Sequence, residues 1–451
     1  MDFNSVVRGL LGILILVGIS FLFSNNKSKI NWRLVGGGLA LQIVFAILIL
    51  KGEALRSAFA PLGWPKDFFN WISYFFVLVL NFTSAGAQFV FGSLAKPPGA
   101  EGSLGSFFAF QVLPTIIFFA SLMSLLYYLG IMQKIVRGMA WIMAKTLGTS
   151  GAESLSCSAN IFVGQTEAPL MIKPFLNQMT KSEILTVMVG GMATIAGGVM
   201  AAYIQILGSA YAIKHGIPLQ EAQQLFATHL LGASVMAAPA GVVISKILFP
   251  ETGDPVTKGT VKIEVEKNAS NVIEAAANGA ADGWKLAINV GAMLIAFIAL
   301  IALINYLLNG LGDLINVNYF LMAEFGQPLS FQLLIGLVLQ FVAFGIGVPW
   351  EDALNFGSLL GIKVVLNEFV AYTEMGTFVE MGKILNEKTI LMLTYALCGF
   401  ANFSSIAIQI GGIGPLAPNR KSDIAALGIR AVLGGVLATL MTATLAGLLF
   451  S

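Results

Sequence analysis

Charge is what this sequence most conspicuously lacks. Only 11% of its 451 residues are Asp, Glu, Lys or Arg, less than half the roughly 25% of an ordinary soluble domain. A chain of this length cannot cover a water-facing surface with so few polar groups, which excludes a cytosolic globular enzyme and a disordered protein. The 25 basic and 23 acidic residues nearly cancel, so nucleic acid attracted by net charge is excluded as a partner. Cysteine and histidine are as sparse. Two scattered copies of each make neither a disulfide framework nor a metal cluster. No nucleophile stands beside a base, so neither an intramembrane enzyme nor an organic cofactor has a footing.

Apolar residues fill the space that charge leaves. They make up 57% of the chain, and charge-free runs of 17 or more residues cover 9–26, 34–50, 68–95, 102–133, 184–213, 222–245, 286–312, 325–350, 389–419 and 431–451. About 20 such residues cross a bilayer as a helix. Barrel strands would alternate over about 10 residues, whereas these runs are apolar all round. The sequence therefore predicts an all-α polytopic membrane protein. Val6 to about Phe23 has no small-residue cleavage site before Asn25 and reads as a retained span. Basic residues at Lys27, Lys29 and Arg33, at Lys134, Arg137 and Lys145, and at Arg420 and Lys421 fit an outside N-terminus, an inside first loop and an outside C-terminus. Even spacing then favours about eight transmembrane helices, with other apolar runs in the interface.

An internal repeat organises the middle of the chain. Asn160-Ile-Phe-Val-Gly-Gln-Thr-Glu167 and Asn367-Glu-Phe-Val-Ala-Tyr-Thr-Glu374 share Asn, Phe, Val, Thr and Glu at an offset of 207 residues, from 160 to 367. Gly191-Met-Ala-Thr-Ile-Ala-Gly197 overlies Gly399-Phe-Ala-Asn-Phe-Ser-Ser405 at an offset of 208, from 191 to 399. Each half thus carries an acid-bearing patch and, about 30 residues on, a span interrupted by Gly and small polar residues. Backbone at membrane depth is non-helical only where protein or water satisfies it, and paired interruptions in two halves point to a midplane transport site. The expected organisation is N-terminal membrane helices over 1–100, then a first repeat over 101–249 with a re-entrant hairpin near 151–180 and a broken helix 184–213. A polar loop with an interfacial helix follows over 250–285, the helix at Asn271–Ala281. A second repeat covers 286–423 with a hairpin near 354–386 and a broken helix 389–419, and a C-terminal helix fills 424–451. Hairpins entering from opposite sides would make this an inverted repeat with a gate on each side.

Glu167 and Glu368 stand out, because a carboxylate inside a span costs roughly 2.5–3.5 kcal/mol on insertion scales; the plainer alternative is a solvated interfacial loop. Glu374 and Glu380 lie near Lys383, Glu387 and Lys388 and read as a solvated edge. Asn160 and Thr194 offer oxygens suited to a hard cation, against ordinary interhelical hydrogen bonding; Asn402 and Ser405 carry the same alternative. The paired glycines mostly mean close packing, and Gly197-Gly198 beside Thr194 marks a helix break. His215 and His229 read as interfacial, the aromatic run 68–95 as interfacial or lipid-facing, and Asn268-Ala-Ser270 as an unused glycosylation pattern.

With these residues in view, the sequence resembles the concentrative nucleoside transporters. The resemblance rests on Asn160-Ile-Phe-Val-Gly-Gln-Thr-Glu-Ala-Pro169, Asn367-Glu-Phe-Val-Ala-Tyr372 and Gly399-Phe-Ala-Asn-Phe-Ser-Ser405, and runs from about Gly151 to Arg430. It implies a homotrimer of eight-span subunits with two re-entrant hairpins and interfacial helices, whose transport domain moves in an elevator-like way against a scaffold. It implies import of a nucleoside such as uridine across the bacterial inner membrane, driven by Na+, or by protons in some members. Gln165, Thr166 and Glu167 would then address the nucleobase, Glu368, Asn402 and Ser405 the ribose, and Phe400 would be an apolar wall. Sodium would be held by the side chains of Asn160 and Thr194 and the carbonyls of Val163 and Ile195. Thr194 stands where the family often has Ser. The competing readings are proton coupling through Glu167 or Glu368, a carrier of another small polar solute, and a channel.

Overall fold

The computed structural model describes residues 3–96, 100–105, 107–259 and 269–450, and among them it is helical with no strand beyond one isolated bridge, Ser150 to Lys258. Among the described residues, seven helices are long and apolar enough to cross a bilayer: Trp32–Leu50, Ala60–Ala95, Phe108–Tyr128, Lys181–His215, Leu219–Leu248, Val272–Leu314 and Pro418–Leu449. The count rises to eight when Phe331–Gly345 and Trp350–Val365, which meet at 119°, form one bent span.

Burial divides these helices into an inner and an outer set. The most apolar stretch of Leu219–Leu248 is 94% buried and that of Lys181–His215 89%, against 22% for Val272–Leu314 and 28% for Ala60–Ala95. Inner helices approach through small residues, as expected where lipid removes the hydrophobic drive and close contact must supply cohesion. A side chain at Gly434 would strike Val189 Cγ2 at 2.7 Å, and one at Gly435 would meet Met192 Cβ at 2.9 Å.

Residues 271–281 do not form a separate interfacial helix. The chain from Val272 runs unbroken to Leu314 over 43 residues. Its Gly279 and Gly283 face helix Leu113–Tyr128, where an added Cβ would come within 2.6 Å of the Ala120 carbonyl oxygen and 2.7 Å of Ile117 Cα. Ser121 and Ser124 seal the contact by donating to the carbonyls of Ala276 at 2.8 Å and Ala275 at 2.7 Å. A segment read as polar on its sequence is thereby one face of a packed pair. Asn268 of the glycosylation pattern lies outside the described residues.

Two helical hairpins are built from shorter helices. The first has an arm Gly151–Ala159 and returns through a 3₁₀ turn Ala168–Ile172 and the short helix Lys173–Leu176. Ser150 and Glu153 form a reciprocal capping box at its start, satisfying two orphan amides. Its base is clamped by Lys246, which pairs with Glu153, donates to Ser182 Oγ at 2.9 Å and pairs with Glu251 at 3.3 Å. The second hairpin joins Trp350–Val365 to Glu368–Glu380. Buried Asp352 fixes its base by accepting from the amides of Leu385 at 2.8 Å and Asn386 at 3.0 Å.

Candidate substrate and ion site

Each hairpin tip faces a broken span. In the first half, helix Lys181–Ala193 ends at Thr194 and helix Gly197–His215 begins after Ala196, the two linkers being extended at φ −120°, ψ 169° and φ −69°, ψ 144°. The Thr194 hydroxyl donates to the Gly190 carbonyl at 2.9 Å, satisfying one orphan acceptor of the helix end. The Gly197 amide donates to the Phe162 carbonyl at 3.1 Å and so ties the break to the hairpin tip. Asn160 and Val163 therefore sit on one side of that bond in sequence, and Thr194 and Ile195 on the other. Asn160 is fully buried, and its Nδ2 donates to the Ser156 carbonyl at 3.0 Å. A carbonyl only accepts, so this bond fixes the amide's orientation and turns Oδ1 away. That oxygen is buried without a partner. The Thr194 hydroxyl has already used its proton and keeps its lone pairs. Neutral oxygens in this arrangement, beside unwound backbone, fit a small hard monovalent cation.

In the second half, Asn367 caps helix Glu368–Glu380 by accepting from the Val370 amide at 2.9 Å, and places Glu368 on its first turn. The second broken span consists of Glu387–Ala396 and Phe403–Ile413. Asn402 caps the latter, accepting from the Ser405 amide at 2.9 Å and Ser404 Oγ at 2.7 Å. With its oxygen so used, Asn402 donates through Nδ2 to Glu368 Oε2 at 3.1 Å. Tyr203, from the first half, donates to Glu368 Oε1 at 2.9 Å. The carboxylate is 5% exposed and holds one donor on each oxygen.

The halves meet at the centre. A Cβ on Gly399 would come within 2.7 Å of the Met192 carbonyl, so the two broken spans pass each other at their breaks. Gln165 of the first tip donates to Ser405 Oγ at 3.1 Å. Gln409 donates through Nε2 to Gln165 Oε1 at 3.0 Å and to the Met188 carbonyl at 2.9 Å. Thus Gln165, Ser405, Asn402 and Glu368 form one connected set. Thr166 flanks it, its methyl occupying the space a Gly412 side chain would need, and Phe400 is half-buried against the apolar core. Glu167 is exposed and makes no hydrogen bond to this set.

Residues 11–94 match the family model for the Na+ dependent nucleoside transporter N-terminus, 109–210 that for nucleoside recognition (Gate), and 229–447 that for the Na+ dependent nucleoside transporter C-terminus. An uncharacterized transporter of Haemophilus influenzae is 45% identical over 98% of both chains. The chain belongs to the concentrative nucleoside transporter family. This transporter is also 43% identical to the uncharacterized transporter YutK of Bacillus subtilis, over 98% of this chain and 99% of that one. It is 40% identical to the mouse sodium/nucleoside cotransporter 1, over 97% of this chain and 63% of that one. Among solved structures it resembles CNTnw in an inward-facing substrate-bound state, with a TM-score of 0.82 and 40% identity over 99% of this chain and 98% of that one. A CNTnw variant in an intermediate state gives 0.84 at 40% identity over the whole of both chains. This transporter is a multi-pass membrane carrier, not an enzyme.

Three residues of the site were not singled out from sequence. Tyr203 sits in a helix of small and apolar residues, and Gln409 in the run 389–419, where a side-chain amide is as costly as those already noted. Lys363 carried a stronger signal, a charge within the second hairpin. It is fully buried and donates to the Ala396 carbonyl at 2.8 Å and Thr439 Oγ1 at 2.9 Å. Ala396 is the last residue of helix Glu387–Ala396, so the ammonium lies at the negative end of a helix dipole. His229 is half-buried, with Nδ1 3.4 Å from the Tyr395 hydroxyl.

Proposed function

We propose that this transporter imports nucleosides such as uridine across the bacterial inner membrane by sodium symport. The observation that carries the proposal is the linkage of the two halves by Gln165 to Ser405 at 3.1 Å and Tyr203 to Glu368 at 2.9 Å, with Asn402 joined to Glu368 at 3.1 Å. A nucleoside has two chemically different ends, and the site offers one set for each. Amide, hydroxyl and carboxylate groups on Gln165, Thr166 and Glu167 suit the donors and acceptors of a base edge. Glu368, Asn402 and Ser405 suit ribose hydroxyls, with Phe400 as the apolar wall. Tyr203 holds the Glu368 carboxylate in register.

Sodium would enter between Asn160 Oδ1, Thr194 Oγ1 and the carbonyls of Val163 and Ile195. The same hairpin tip carries Gln165 five residues on. An ion that orders the tip favours the conformation that binds substrate, which is the linkage symport requires. The crossing of the two broken spans would travel as one body in an elevator-like motion against the outer helices, within a homotrimer. The apolar outer face of Val272–Leu314, where Ile295 is 76% exposed, supports burial against lipid or neighbouring subunits. Proton coupling is the second reading, favoured by the depth of Glu368.

Thermal unfolding of the purified transporter tests the site. A ligand that binds only the folded form at about 100 times its Kd adds about 2.7 kcal/mol of stability. Uridine is expected to raise Tm in sodium and far less in choline, while uracil and ribose alone have little effect. Equal stabilisation by uracil would remove the ribose half of the proposal.

A further inference from the structure

We infer that Gln409 is a positioning residue that sets the hydrogen-bond polarity of Gln165. The inference rests on the nucleoside reading above and adds to it a residue and a direction. The Met188 carbonyl accepts and never donates, so the Gln409 side chain must turn its NH2 toward it, at 2.9 Å. The second hydrogen of that NH2 then points at Gln165, which must answer with its oxygen, at 3.0 Å. With Oε1 committed, Gln165 turns its own NH2 to the other side, where one hydrogen meets Ser405 Oγ at 3.1 Å. The group Gln165 presents to a ligand is a donor, and the ligand atom it selects is an acceptor.

The alternative orientation is excluded by pairing. Flipping Gln409 would set its oxygen against two acceptors. The orientation observed instead leaves one acceptor, Gln409 Oε1, buried without a partner, which is the smaller penalty. Gln409 and Gln165 are 0% and 7% exposed, so water does not compete to reverse either amide. Gly191 makes room for the pair: a Cβ there would lie 2.9 Å from Gln165 Cβ and 3.2 Å from Gln409 Nε2. Polarity thus passes from the first broken span, through the second, back to the tip of the first hairpin.

The test is a double-mutant cycle in proteoliposomes, comparing the wild type with Q409M, Q165A and the double variant by saturable [3H]uridine uptake. If Gln409 acts through Gln165, Q409M raises the uridine KM about five- to tenfold with Vmax held, and does nothing further in the Q165A background. Discrimination between uridine and 3′-deoxyuridine stays intact in Q409M, because Glu368 and Asn402 are untouched. An equal KM penalty in both backgrounds, or blunted 3′-hydroxyl discrimination, would overturn the inference. Should Q409M fail to fold, the near-isosteric Q409E serves, since a carboxyl group has at most one proton for two acceptors; the same signature is expected and additivity again overturns the inference. A wild type that neither binds nor transports uridine would instead overturn the nucleoside reading on which the inference stands.

Discussion

Side-chain amides decide the residue scale, because each has one face that accepts and one that donates, and neighbours choose which is shown. Asn160 shows its oxygen because the Ser156 carbonyl takes its NH2. Replacing Asn160 by Ala removes that oxygen. Loss of even an outer-sphere partner costs metal sites roughly 10–100-fold in affinity, so the half-saturating sodium concentration for uridine uptake is expected to rise at least tenfold, while circular dichroism stays unchanged. An unaltered sodium curve would remove Asn160 from the ion site. Tyr203 carries a second test. A hydrogen bond to a charged group is worth about 1.5–3 kcal/mol, so Tyr203→Phe is expected to raise the uridine KM roughly tenfold or more, with 3′-deoxyuridine affected least. Asn160, Glu368, Asn402 and Ser405 were legible as polar residues in apolar runs. Tyr203 was not, since tyrosine is unremarkable in a membrane helix and only folding brings its hydroxyl to Glu368, 165 residues away in sequence.

Clamps and crossings govern the elements. The base of the first hairpin depends on the buried pair of Lys246 and Glu153, 6% and 1% exposed in their side chains. Breaking such a pair from one side strands the other charge and costs about 3–5 kcal/mol, whereas neutralising both is far milder. K246M should therefore lower Tm sharply, and K246M/E153Q should recover most of the loss, because Gln keeps an oxygen for the Ser150 cap. A double variant as unstable as the single one would contradict the clamp. At the crossing, Gly399→Val would push a side chain onto the Met192 carbonyl, 2.7 Å from the Cβ position. Backbone cannot yield there, and the uridine-dependent Tm shift should vanish.

The repeat was readable as sequence but not as local structure. Asn367 starts a helix as its N-cap, while Asn160 ends one as its C-cap. Gly164 and Pro169 stand in the first hairpin where the second has Ala371 and Gly376, and Pro disfavours the continuous helix that the second hairpin's returning arm makes. The continuity of the helix Val272–Leu314 was missed for another reason. Its polar first turns look like a surface segment until Gly279 and Gly283 are seen against Ala120 and Ile117.

Across the whole molecule, the linked polar set lies on the first hairpin tip (Gln165), the second hairpin (Glu368) and the second broken span (Asn402 and Ser405), and the outer helices present apolar surface. Fold class and family were legible because both follow from composition and from motifs that lie at the two breaks. The connections between halves were not, since Gln165 to Ser405 spans 240 positions and Gln409 to Met188 spans 221. The central claim is that one body, built from both halves, carries a nucleoside and a cation together. Radiolabelled uridine uptake into proteoliposomes tests it most directly, with an inward sodium gradient and with choline in its place. Accumulation above the outside concentration is predicted with sodium and none with choline. Accumulation that ignores sodium and follows the pH gradient would contradict the coupling, and no uptake by folded protein would contradict the claim itself.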